Sequence, residues 1–213
     1  MSGVTAGRLP RRARCHTRVV GIGRPAADRV REWLDEARAS GLLGWDMAVV
    51  ATATADGHPS ARAVLLRGFD ERGFVFFTDT RSRKGRELAA NPRAALVLAW
   101  PPMERQIRAE GPVEMVPAEE SDAYFAHRPR GHQLGAWISR QSEILDERAH
   151  LEQRLAEVER MYEGRDVPRP PYWGGYRIVP AEIELWEGRP NRLHHRIRYR
   201  QTAEGWRAEL LWP

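Results

Sequence analysis

Met47–Thr78, MAVVATATADGHPSARAVLLRGFDERGFVFFT, decides how the chain folds. Met47–Thr54 is apolar and β-prone, and Asp56-Gly57 is a dipeptide that reverses a chain within two residues. Ser60–Phe69 reads as the next strand, with Arg62, Val64 and Leu66 on one face. Asp70–Gly73 is a second turn, and Gly73–Thr78 returns as a third strand. Strands joined by tight turns pair locally, so the stretch predicts an antiparallel β-meander.

Upstream of it, Val30, Trp33, Leu34 and Ala37 recur at i, i+3, i+4, i+7 and predict a helix over Ala26–Ser40, ended by Gly41. Downstream, Ser82 is a good N-cap for a helix that runs to about Asn91 and closes at Pro92. Arg93–Trp100 and Arg105–Val116 read as strands with Pro101-Pro102 between them. Ala118–Arg128, Leu134–Ile138 and Asp146–Tyr162 read as helical, the last through Leu151, Leu155 and Val158. Val167–Pro171 reads as a surface linker. Strands then resume at Tyr176–Val179, Ile183–Trp186, Arg192–Tyr199 and Trp206–Leu211. The pattern is mainly β with helices, of the α+β class: a small antiparallel barrel with helices packed outside.

The chain of 213 residues is 42% apolar and 30% charged, with a net charge of +5. That length suits one domain, read as residues 25–213 behind a basic arm over residues 1–24. The arm is rich in arginine and has no acid, but it lacks the apolar core of a signal peptide. No apolar run approaches a membrane span of roughly 20 residues. One cysteine, Cys15, excludes an internal disulfide, and the cytoplasm is the natural compartment. No nucleic-acid or membrane partner is expected. A metal centre is not expected either, since the adjacent His194 and His195 would point to opposite faces of a strand. A nucleophile elbow and a Gly-x-Gly-x-x-Gly loop are both missing from the sequence.

Phosphate binding has better support. Arg81-Ser82-Arg83-Lys84 stands where a strand and loop enter a helix, so free N–H groups and the positive dipole end add to three cations. Lys84 is the only lysine in a chain that uses arginine everywhere else.

Arg62-Ala-Val-Leu-Leu-Arg67, Phe76-Phe77-Thr78, Ser82-Arg83-Lys84, Glu104-Arg105-Gln106, Arg128-Pro-Arg-Gly-His-Gln-Leu-Gly-Ala-Trp137, Ser139-Arg-Gln-Ser142, Trp173-Gly-Gly-Tyr-Arg177 and Arg192-Leu-His-His-Arg196 occur in that order. Together they resemble the pyridoxamine 5'-phosphate oxidase family over about Met47 to Pro213. The resemblance implies an FMN-binding split β-barrel, a homodimer with one FMN in each of two interface clefts, and oxidation of pyridoxamine or pyridoxine 5'-phosphate to pyridoxal 5'-phosphate while O2 becomes H2O2.

The same resemblance puts FMN against Arg62, Ala63, Val64, Leu65, Leu66, Arg67, Phe77, Thr78, Arg83, Lys84, Gln106, Gln141, Ser142, Trp186 and Arg196. Arg62, Arg83 and Lys84 suit a dianionic phosphate, and Gln106 and Gln141 can donate and accept in the plane of a ring. Substrate falls to Arg67, Tyr124, Arg128, His132, Arg192 and His194. Tyr124 and Arg128, four apart on a helix, share a face and suit a second phosphate. Arg192 and His194, two apart on a strand, share a face too, and are the catalytic candidates, with His194 handling the proton.

Departures from the family pattern are specific. Arg67 stands where lysine is usual, His132 where serine is usual, and His195 where aspartate is common. Phe77 lacks the usual tyrosine hydroxyl, the Arg-Arg-x-x-Tyr arm is not recognisable, and Leu210-Leu-Trp-Pro213 replaces the usual Arg-Leu-Ala-Pro. Two rivals compete with the substrate assignment: a related flavin oxidase that aromatises phenazine precursors, and a non-catalytic flavin- or pyridoxal-phosphate-binding barrel.

Overall fold

A computed structural model describes residues 21–213. The basic arm and Cys15 therefore lie outside the described residues, apart from the last few residues of the arm. Arg24 already opens helix α1, Arg24–Ala39, with Pro25 in its first turn, where no N–H bond is lost. The predicted stripe is the buried face: Val30, Trp33, Leu34 and Ala37 join Ala26 and Ala27 against the sheet. Gly41 follows with a φ of 72°, a left-handed stop that glycine accepts without strain.

Among the described residues ten strands form the sheet: β1 Met47–Ala53, β2 Pro59–Leu65, β3 Gly68–Asp70, β4 Gly73–Asp79, β5 Arg93–Trp100, β6 Arg105–Met115, β7 Trp173–Ile178, β8 Glu182–Glu187, β9 His195–Thr202 and β10 Gly205–Leu210. The main order is β10-β9-β8-β6-β5-β1-β2, antiparallel wherever strands meet. The long β6 curls the layer. Its first half pairs with β8 and its end, Val113–Met115, pairs with β7, which carries β4 and β3. Helices α2 Arg83–Ala90, α3 Ala118–Ala126, α4 Arg130–Ile138 and α5 Ala149–Met161 complete the described chain.

Two apolar clusters result. The larger joins α1 to the sheet through Val50, Phe74, Phe76, Leu96, Leu98, Ile107, Ile178 and Ile183. The smaller gathers Phe125, Leu134, Ala136, Val158, Val167 and Trp173 under α3, α4 and α5.

Several expectations need correction. Ser60–Phe69 is two strands, because the chain leaves β1 after Leu65 and hands Gly68–Asp70 to β4. The meander is thereby broken: β1 lies between β2 and β5, and β4 lies between β3 and β7. Val167–Pro171 is no surface linker, since Val167 and Pro170 are buried and Trp137 Nε1 donates to the Pro168 carbonyl at 2.8 Å. Helix α3 stops at Ala126, so Arg128 lies beyond its end. Arg192 is not on a strand: Pro190–Arg192 is a 3-10 turn, and β9 starts at His195.

Candidate active site

Ser82 opens α2 as expected, its Oγ accepting from Gly85 N–H at 3.3 Å. Gly85 is required here, because a side chain at that position would run into the Thr80 carbonyl. That close approach turns Lys84 inward. Its Nζ donates to Thr78 Oγ1 at 2.9 Å and to Gln141 Oε1 at 2.5 Å. Burial first, then repulsion from Arg62, lowers the Lys84 pKa to about 8, with Asp79 acting in the opposite sense. Lys84 is held as a largely desolvated cation with few compensating charges.

Beneath it lies a polar network built on Glu87. Burial alone would raise this carboxyl, but hydrogen bonds from Ser60, Thr52 and Arg83, with Arg62 nearby, bring it down to about 2. Arg62 donates to Thr52 Oγ1 and Ser60 Oγ, both at 2.6 Å, and Arg83 Nε donates to Glu87 at 2.8 Å. Arg62 and Arg83 are thus fixed around one buried anion at the start of α2. Arg81 does not join them; it pairs with Asp79 at 2.9 Å and lies over the Tyr172 ring at 3.3 Å.

Above this base opens a cleft of about 760 Å³. Eleven of the sequence-predicted residues line it: Ala63, Val64, Leu65, Arg67, Phe77, Thr78, Lys84, Tyr124, Arg128, His132 and Gln141. One wall is aromatic. Phe77 stacks on Tyr124 at 4.1 Å and on Trp173 at 5.3 Å, with planes within 7° of parallel. Gly175, paired with Phe77 across β4 and β7, makes room for that ring; a Cβ there would sit 2.7 Å from it.

Arg128 still reaches the cleft from beyond α3, so the pair with Tyr124 survives the shorter helix. Its guanidinium is half buried, and its Nη1 is buried with no hydrogen-bond partner among the described residues. Burial above all lowers its pKa; Tyr124 acts to raise it, and repulsion from Arg67 lowers it a little further. Arg67 is itself anchored by Asp46 at 2.9 Å. A buried, unpartnered N–H on a cation costs several times what a solvated one does, unless an anion meets it.

The remaining candidates lie elsewhere. Leu66 is in the main core, Arg62 and Arg83 turn to Glu87 and are not among the residues lining the cleft, and Ser142, left-handed with a φ of 74°, follows the cleft residue Gln141. Gln106, Trp186 and Arg196 stand in register across β6, β8 and β9, forming one row outside the cleft. Beside that row, His194 packs on Trp186 at 4.6 Å and its Nδ1 accepts from Arg189 N–H at 3.3 Å. Asn191 and Arg192 are both left-handed, with φ of 57° and 60°; this turn, and not a shared strand face, sets their directions. His194 and Arg192 therefore join neither each other by strand alternation nor the cleft of their own chain.

The cleft also contains Asp79, His127, Ser139 and Trp173, which sequence reasoning gave no role. His127 was accessible to it: Tyr124, His127 and Arg128 are spaced i, i+3, i+4. Trp173 opens the Trp173-Gly-Gly-Tyr-Arg177 motif, but nothing local tells a core indole from a cleft wall.

A family model described as pyridoxamine 5'-phosphate oxidase matches residues 34–162, and one described as pyridoxine 5'-phosphate oxidase C-terminal dimerisation region matches residues 173–213. A pyridoxine/pyridoxamine 5'-phosphate oxidase of Rubrobacter xylanophilus is 59% identical over 181 residues, which is 85% of this chain and 83% of that one. Its counterpart in Salinibacter ruber is 53% identical over 189 residues, 87% of this chain and 88% of that one. Among solved structures, PhzG from Burkholderia lata, in complex with tetrahydrophenazine-1-carboxylic acid, superposes with a TM-score of 0.83 at 32% identity, covering 92% of this chain and all of that one, 100%. A pyridoxamine 5'-phosphate oxidase-related, FMN-binding protein from Nostoc punctiforme shares the fold at a TM-score of 0.72 and 19% identity, over 91% of this chain and 100% of that one. The curled antiparallel sheet is a half-barrel of the split-barrel type, and the chain belongs to the pyridoxamine 5'-phosphate oxidase family.

Proposed function

We propose that the chain oxidises pyridoxine and pyridoxamine 5'-phosphate to pyridoxal 5'-phosphate, using FMN and O2, as a homodimer. Pyridoxine 5'-phosphate and O2 give pyridoxal 5'-phosphate and H2O2; the amine also consumes water and releases ammonia. The observation that carries this reading is the buried, unpartnered Arg128 Nη1 in the same cleft as the desolvated Lys84. Two separate cationic positions in one cleft suit two phosphate groups, one on a cofactor and one on a substrate.

The residues present fit FMN. Lys84, Arg62 and Arg83 gather where α2 offers its N-terminal dipole, and would hold the phosphate. Gln141 beside Lys84 has amide donors left for a ring edge. When bound, FMN accepts a hydride and is returned to its oxidised form by O2. The protein aligns and neutralises. Arg67, Tyr124, Arg128 and His132 bind the substrate phosphate, and the Phe77 wall excludes water.

The row of Gln106, Trp186, Arg196, His194 and Arg192, all but Gln106 within the region matched by the dimerisation model, completes the cleft of a second copy. With Nδ1 accepting from Arg189 N–H, His194 would present its Nε2–H as a hydrogen-bond donor that holds the substrate oxygen in place, while the hydroxyl proton released by oxidation passes to solvent and is taken up in H2O2. Arg192 supplies the positive charge beside it. No helix among the described residues is long and apolar enough to cross a membrane; the lone cysteine supports a cytoplasmic place.

The likeness to PhzG favours a second reading, oxidation of a phenazine precursor. The cation set around Arg128 favours the phosphorylated substrate. Incubating the FMN-loaded protein with pyridoxine 5'-phosphate and measuring H2O2 tests the assignment. Stoichiometric H2O2 and pyridoxal 5'-phosphate are expected; neither product from this substrate would sink it.

A further inference from the structure

Arg128 is held in an unusual way. Among the described residues its side chain makes no ion pair, and its Nη1 has no hydrogen-bond partner. What it meets is aromatic: its guanidinium carbon lies 4.7 Å from the Trp173 ring centroid and 5.5 Å from that of Phe125. A ring face attracts a cation without neutralising it and without consuming any of its five N–H donors. A carboxylate in the same place would orient the guanidinium but would offset part of its charge and occupy some of its N–H donors. We propose that Trp173 is the positioning residue of this anion site, holding the Arg128 guanidinium so that the substrate phosphate meets it already oriented. The proposal rests on the reading above, in which Arg128 takes that phosphate.

Trp173 is itself prevented from turning aside. It opens β7 opposite Asp79, its N–H donates to the Pro170 carbonyl at 3.0 Å, and its own carbonyl accepts from Arg169 at 2.6 Å. The indole lies parallel to Phe77 within 7° and edge-on to Phe125 at 5.1 Å. Phe77 keeps that pose because Gly175 leaves space for it. Packing therefore runs from Gly175 through Phe77 to Trp173 and ends on the cation. Preorganisation of this kind lowers the entropy lost on binding and affects substrate affinity more than the chemical step.

The test is a double-mutant cycle on the FMN-loaded dimer with pyridoxine 5'-phosphate. Trp173→Leu should raise KM about 5- to 30-fold, the span of a desolvated cation–ring contact, with kcat within about twofold. FMN affinity should stay within about twofold, which a general loosening of the fold would not allow. Trp173→Phe should restore most of the KM. In an Arg128→Gln background, Trp173→Leu should change KM by less than about twofold, because the group it positions has gone. If both variants raise KM but their effects multiply independently, Trp173 is packing only and the proposal is overturned alone. If Arg128→Gln leaves KM unchanged, Arg128 does not take the substrate phosphate, and the reading and the proposal fall together. Should Trp173→Leu not fold, the cycle run with Trp173→Phe should still show a coupled rise of about two- to fourfold, and independence there overturns the proposal.

Discussion

Burial and the nearby Arg62 bring the Lys84 pKa down to about 8, against the pull of Asp79. A phosphate dianion beside the ammonium favours its protonated form, so binding takes up a proton as pH rises past the free value. FMN affinity should thus be full below about pH 8 and fall above it, by up to about tenfold per pH unit, while riboflavin affinity stays level. Fluorescence titrations of both flavins from pH 7 to 9 check this; parallel curves would remove Lys84 from the phosphate. Lys84→Ala should weaken FMN by about 10- to 150-fold and riboflavin far less, the loss of one charge-assisted bond. His132 lines the same cleft as Arg67 and Arg128, where a ring N–H can donate to a phosphate oxygen. His132→Ala should raise KM for pyridoxine 5'-phosphate by about 10-fold, the loss of one bond to a charged group; an unchanged KM would mean that His132 only packs beside the pocket.

At the scale of elements, α2 is fixed from below by Glu87 as much as capped by Ser82. The Glu87 carboxyl sits near 2 in the folded chain against an ordinary 4.5. A depressed carboxyl contributes stability that is present above the ordinary value and lost as pH falls through the folded one. Glu87→Gln should therefore cost about 1–3 kcal/mol at pH 7, and the gap from the parent should narrow between pH 4.5 and 2. Urea unfolding at pH 7 and pH 3 measures both points, and a constant gap would show that ionisation is irrelevant. The N-cap is a smaller matter: replacing Ser82 with alanine loses about 1 kcal/mol of helix stability.

The whole molecule distributes its candidate groups between two places: the cleft under α3 and α4, and the row across β6, β8 and β9. A site assembled from one cleft and a second copy's row can be repaired by mixing. Lys84→Ala and Arg192→Ala homodimers should each be nearly inactive. Refolded together in equal amounts, half of the dimers are mixed and each carries one intact site, so about a quarter of parental activity should return. Return of no activity, with mixed dimers demonstrated, would place both clusters in one subunit's site.

Period and turn chemistry alone located α1, β1, β4, α2, β5 and β6 to within a few residues, because backbone preference and side-chain alternation are local. Arg83 and Lys84 were legible as phosphate candidates for the same reason, cationic residues at the N-terminus of a helix, whereas Arg62 was named only through the resemblance and Arg81 instead pairs with Asp79. Neighbours were not legible. A strand's alternation says which side chains share a face but not which strand lies beside it, so Ser60–Phe69 hid a change of partner and β4 found β7 far along the chain. The left-handed turn at Asn191 and Arg192 broke an alternation that sequence extended through His194. The division of the site into cleft and row, and the seat of Arg128 on Trp173, came from packing between distant segments, where sequence spacing carries no distance information and only the assembled sheet brings the groups together.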